Sequence, residues 1–88
     1  MDFYGKVKEV SEPVTGQGAN GQWVRKTVVV ESFDNPMNCI ACDALNDRCE
    51  KLQGIQPGMA VKVTYGINSR KGDKGWFTTV NLWDIQKL

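Results

Sequence analysis

Eighty-eight residues, 41% of them hydrophobic and 24% charged, suit one small soluble domain covering residues 1–88. A net charge of +1 gives no global attraction to a polyanion. No stretch approaches the roughly 20 apolar residues that cross a bilayer. Asp2, Lys6, Lys8 and Glu9 break any signal-peptide pattern at the start, so no membrane role is expected and the location reads as cytoplasmic.

Phe3 to Val10 predicts a first strand, with Phe3, Gly5 and Val7 on one side and Tyr4, Lys6 and Lys8 on the other. Gly5 inside it predicts a bulge or a sharp coil. Glu12 to Gln22 holds one proline, three glycines and one asparagine and reads as a long, mobile loop. Trp23 to Glu31 is the clearest strand, because Thr27 to Val30 is β-branched throughout. With Val24, Val28 and Val30 facing the core, Trp23, Arg25, Thr27 and Val29 face outward.

Asp34-Asn35-Pro36 turns the chain, and Met37 to Ala44 forms a third strand with Ile40, Cys42 and Ala44 inside. Asn46 is placed to cap a short helix whose Leu45, Cys49 and Leu52 make one apolar stripe, and Gly54 ends it. Pro57-Gly58 opens a fourth strand, with Val61, Val63, Tyr65 and Ile67 inward against Lys62 and Thr64. Lys71 to Gly75 reads as a basic, glycine-bearing hairpin loop. Trp76 to Ile85 closes the sheet, with Thr78, Val80 and Leu82 on one face and Phe77, Thr79 and Asn81 on the other. Trp83 and Ile85 share the second parity, so either a bulge turns them inward or they cover an end. Five strands with one short helix between strands 3 and 4 predict an all-β, five-stranded OB-fold barrel.

The charge is unevenly spread. Residues 1–30 carry four bases and three acids, residues 31–50 one base and five acids, and residues 51–88 six bases and two acids. A polyanion site should favour the C-terminal, basic part. Cys39, Cys42 and Cys49 with no histidine leave a zinc site one ligand short, and residues 39 and 42 of a strand point to opposite faces. No metal and no cofactor is expected. Without histidine, and with no nucleophile, P-loop or paired-carboxylate motif, enzyme activity is not expected either.

Gly5-Lys6-Val7, Gly21-x-Trp23, Val28-Val29-Val30-Glu31, Pro36, Asp47-Arg48, Leu52 and Gly58-x-x-Val61 run through most of the chain. With Ile67-x-Ser69-Arg70, Gly75-Trp76-Phe77-Thr78 and Trp83 they resemble a short bacterial family with an OB fold, domain of unknown function 3127. More distantly, Gly58-x-x-Val61-x-Val63 followed by Ile67-x-Ser69-Arg70 is similar to the fourth-strand region of bacterial single-stranded DNA-binding proteins. That resemblance implies a ligand path along the outer face of strands two and three and the first and fourth hairpin loops. The long acidic, glycine-rich tail of those proteins has no counterpart before Leu88, so recruitment of partners through such a tail is not carried over.

Single-strand binding needs flat aromatic faces for bases and cations along the phosphates. Trp23 and Phe77 are the expected stacking residues, with Trp76 in reserve. Arg25, Lys62, Arg70, Lys71 and Lys74 are the expected phosphate contacts. The expected function is a non-catalytic module for single-stranded DNA or RNA, DNA first, with weak sequence preference and strong salt dependence. The alternative is a protein-protein interaction module or an oligomerising subunit that pairs through an exposed edge strand. A carbohydrate or small-ligand site is a third reading of the same aromatics. As plain structure, Trp23 also suits capping the sheet edge, and the lysines a solvated loop.

Overall fold

The computed structural model describes residues 1–19 and 21–88. Its elements are β1 (Asp2–Val10), β2 (Val14–Gly18), β3 (Gly21–Ser32), β4 (Cys39–Leu45), β5 (Ala60–Gly72) and β6 (Gly75–Lys87), with a 3-10 helix at Asn46–Leu52. They form one sheet in the order β1-β5-β6-β4-β3-β2, and β1 pairs with β3 as well. Five strands therefore close into a ring of the OB type, and β2 is hydrogen-bonded to β3 outside that ring. The seam is a short parallel contact of β4 with β6 at Asp43 and Asn81. Among the described residues no helix is long and apolar enough to cross a membrane.

The β-branched alternation in the sequence becomes the core. Val28, Val30, Val61, Val63 and Leu82 are wholly buried, Val7 nearly so, and Leu52 of the helix with Ile55 closes one end. Each such side chain contributes about 1.5–3 kcal/mol relative to exposure. Cys42 and Ala44 are buried and Ile40 partly so, as their parity predicts.

Several local expectations are corrected. The extra residue in β1 is Lys8, where the register with β3 jumps between Val7 and Glu9. Gly5 serves another purpose: it is paired on both sides, to Ser32 and to Val61, and a Cβ there would run into the Glu31 carbonyl oxygen. The strands simply pass too close for a side chain. Between Thr64 and Tyr65 the β5–β6 register steps from Asp84 to Leu82, leaving Trp83 as a bulge. That bulge lets both Leu82 and Ile85 point inward while Trp83 stays outside, 49% exposed.

The expected loop from Glu12 to Gln22 contains a strand, β2, which pairs with β3 from Val14↔Arg25 to Gly18↔Gly21; residue 20 lies outside the described residues. Pro13, lacking an N–H, separates β1 from β2. Across that break the Ser11 N–H donates to the Thr27 carbonyl at 2.8 Å, and the Ser11 hydroxyl accepts from the Thr27 N–H at 2.8 Å. The supposed loop at Lys71 to Gly75 is likewise mostly strand, since β5 and β6 pair out to Gly72↔Gly75. This hairpin outgrows the ring, so Ile67, expected inside, is 54% exposed. The helix also differs from its expected cap: no side chain caps it, Asn46 has φ +52°, and Leu45 is 50% exposed instead of packed in the stripe.

Candidate functional site

Two hairpins extend beyond the ring, and the outer faces of β3, β4 and β6 lie between them. On one side β2 and β3 carry Trp23 and Arg25. On the other, the β5–β6 arm carries Arg70 paired to Phe77 and Asn68 paired to Thr79. Antiparallel partners share a face, so Arg70, Phe77, Asn68, Thr79 and Asn81 all look the same way, away from the buried Leu82. The arm reaches about 20 Å past its last core pair.

The space between is one groove in two adjoining parts. The larger, about 530 Å³, is lined by Trp23, Arg25, Leu45, Asn46 and Arg70 together with the glycine-rich tip of the β2–β3 hairpin. The smaller, about 230 Å³, lies under Arg25 and Arg70 and is floored by Asp43, Asn68, Thr79 and Asn81. Arg25, Leu45 and Arg70 border both parts.

Local packing sets each side chain. Trp23 lies across Gly16, its direct cross-strand partner, where a Cβ would collide with the indole. The Arg25 guanidinium stands 6.0 Å from the ring centroid on the same outer face, at the far limit of cation–π range. Phe77 lies across Gly72 in the same manner. Asn46 is held by its Oδ1, which accepts the Val24 N–H at 3.1 Å and so ties the groove's corner to β3. Asp43 accepts the Thr27 hydroxyl at 2.8 Å through Oδ1. Behind this floor, burial first and the Asp43 carboxylate second push the Cys42 thiol up to about 11.

The sequence-predicted residues divide into three sets. Trp23, Arg25 and Arg70 line one groove, while Phe77 shares Arg70's face of the arm without lining either part of it. Lys71 and Trp76 form a cross-strand pair on the opposite face of the arm, and Lys74 occupies its turn. Trp76 and Phe77, of opposite parity, are both exposed, at 70% and 55%, because no core lies behind either. Lys62 joins neither set. It sits roughly 25 Å down β5 from Arg70, facing Tyr4 and Gln86, with its ammonium 4.0 Å from the Asp2 carboxylate.

Asp43, Leu45, Asn46, Asn68, Thr79 and Asn81 were not anticipated as groove residues. The parity that puts Cys42 and Ala44 inside already puts Asp43 and Leu45 outside, and that signal was available. The role of Asn46 was hidden, because an asparagine before a helical stripe looks like a cap. Cys39 is exposed and Cys42 buried, on opposite faces of β4, while the Cys49 thiol contacts the Ala44 carbonyl at 3.2 Å. Among the described residues no group of His, Cys, Asp and Glu is arranged to hold a metal.

A family model described as "Domain of unknown function (DUF3127)" matches residues 2–86. No curated protein matches the sequence. Among solved structures, the small single-stranded DNA-binding protein from Streptomyces coelicolor is similar at a TM-score of 0.52 and 18% identity, covering 100% of this chain and 92% of that one. The mitochondrial single-stranded DNA-binding protein of S. cerevisiae is similar at a TM-score of 0.53 and 20% identity, again over 100% and 92%. At these identities the likeness is one of fold.

Proposed function

The chain belongs to the DUF3127 family, and we propose that it is a non-catalytic module that binds single-stranded nucleic acid, DNA first, in the groove between its two hairpins. The observation that carries this reading is the convergence of Trp23, Arg25 and Arg70 on one open groove from two separate walls. The single-stranded DNA-binding proteins that share the fold lend it support. Trp23 and Phe77 offer ring faces for bases, and each stacked base is worth about 1–3 kcal/mol. Arg25 and Arg70 take phosphates along the rim. A strand longer than the groove passes over the arm's turn, where Lys74 meets it, while Lys71 and Trp76 face away. Lys62 is left out of this path.

The test is tryptophan fluorescence titrated with an unstructured oligothymidylate at low and at high salt, with wild type and Trp23→Phe. Quenching that weakens with salt, and a smaller quench in the variant, are expected. A folded protein that shows no quenching at low salt overturns the reading.

One observation favours a second reading, association with protein. On the face of the arm opposite the groove, Ile67 and Trp76 are 54% and 70% exposed with nothing packed over them among the described residues. Under that reading sedimentation shows a concentration-dependent dimer that Trp76→Ala abolishes; a monomer at all concentrations argues against it.

A further inference from the structure

The floor of the smaller part of the groove presents a problem for a polyanion site. Asp43 faces outward there, between two arginines, where its charge repels phosphate. It is also not spent on neutralising those arginines: the ion pairs among the described residues are Lys51–Asp84 and Lys62–Asp2. Its one side-chain hydrogen bond, from the Thr27 hydroxyl, uses Oδ1 and engages no other acceptor position of the carboxylate, which lines the groove. A carboxylate has about four acceptor positions, so most of its capacity is available to a ligand. Around it stand Asn68 and Asn81, with amides that donate, and Thr79.

We infer that this floor reads one base by its Watson–Crick edge and prefers guanine. The inference rests on the single-strand reading above and makes it specific at one position. Of the four bases only guanine offers two adjacent donors, N1–H and the 2-amino group, which match the two oxygens of a carboxylate. Adenine and cytosine each present one amino donor beside a ring-nitrogen acceptor that a carboxylate repels. Thymine presents a single N–H between two carbonyl oxygens, which repel it further. Beside its two donors guanine carries the O6 acceptor, and an asparagine amide of Asn68 or Asn81 can meet that atom. With phosphates along the Arg25 and Arg70 rim, the base edge is the part of the strand directed at the floor, and an acid there serves recognition instead of opposing it. Bases displayed on unpaired strands are read in this way, by hydrogen bonds to their Watson–Crick edges. The 230 Å³ available suits one flat heterocycle, below the roughly 300–1,000 Å³ typical of sites that enclose whole drug-sized ligands.

The experiment is fluorescence anisotropy with a labelled oligothymidylate carrying one central guanine, hypoxanthine, adenine or cytosine, using wild type and Asp43→Asn. The asparagine side chain still accepts the Thr27 hydroxyl, so the fold is retained. Wild type should bind the guanine strand about tenfold tighter than the adenine strand. Hypoxanthine, which lacks only the 2-amino group, should lose much of that gain. D43N should erase the preference, binding the guanine strand no tighter than the adenine strand. Equal binding of all four strands by wild type, or an undiminished guanine preference in D43N, overturns the inference and leaves the single-strand reading intact. Failure to bind any strand overturns both.

Discussion

Replacing Arg70 by alanine should flatten the salt dependence of oligonucleotide binding, whereas replacing Lys62 should leave it unchanged. Three cations are within reach of a strand in the groove: Arg25 and Arg70 on its walls and Lys74 in the turn of the arm. Each phosphate neutralised on a single strand adds about −0.7 to the slope of log K against log salt. Three contacts give a slope of about −2, a roughly 20-fold loss of affinity between about 50 and 200 mM salt. R70A should bring the slope to about −1.4. In K62A the slope should stay at the wild-type value, because that ammonium faces Asp2 away from the groove. Anisotropy of a labelled oligothymidylate across a salt series measures all three slopes. A wild-type slope of about −4 or steeper would mean that the strand meets cations outside the groove. An equal effect of K62A and R70A would refute the route, and a slope near zero would refute phosphate contact altogether.

Two further outcomes follow from the packing. Gly5→Ala forces a methyl into the Glu31 carbonyl oxygen, a backbone atom that cannot swing aside, and should lower the unfolding free energy in urea by about 1–3 kcal/mol; Gly16→Ala meets the Trp23 indole first, a side chain that can move, so it should cost less stability than Gly5→Ala while shifting tryptophan emission and weakening oligonucleotide binding. The buried Cys42 thiol, pushed up to about 11 from an ordinary value of 9.0, keeps its proton where the unfolded chain has lost it, so its contribution is complete below 9.0 and disappears as pH rises toward 11; melting temperatures across that range should fall more steeply for wild type than for Cys42→Val, and parallel curves would count against a protonated thiol in the core.

The ring was legible because its strands alternate. Val28 and Val30 stand two apart, as do Val61 and Val63 on either side of Lys62, and Leu82 keeps the parity of Val80; burying that face leaves one register open to each strand. Even the outward side of β3 followed, which put Trp23 and Arg25 on the groove. What parity could not supply was the point at which the sheet outgrows its core. Ile67 and Trp76 fit an inward pattern, yet beyond Gly66 no opposite wall remains for them to pack against. The outcome of the bulge was equally hidden, since Trp83 and Ile85 share a parity and only the register shows Ile85 turned inward with Trp83 left outside. Long-range electrostatics were hidden too: Lys62 resembles a phosphate contact in sequence, and only the register of β1 against β5 reveals Asp2 beside it.

The error over β2 and the outward placement of Trp23 have a common cause. Glycine in a strand weakens it and normally signals a loop, which is how Val14–Gly18 and Lys71–Gly75 came to be read. In the folded chain an aromatic ring lies over the bare backbone at Gly16, Gly66 and Gly72, supplied by Trp23, Trp83 and Phe77. The ring restores the apolar contact that the missing side chain gives up, and it does so outside the core, where nothing else can bury these strands. Two of the three rings, Trp23 and Phe77, thereby cover the two hairpins that wall the groove, and Trp23 also lines it. Removing either ring should therefore loosen a wall as well as delete a stacking face. Loss of binding in Trp23→Ala should exceed the loss in Trp23→Phe by more than the difference in ring area alone, because only the smaller side chain leaves Gly16 uncovered.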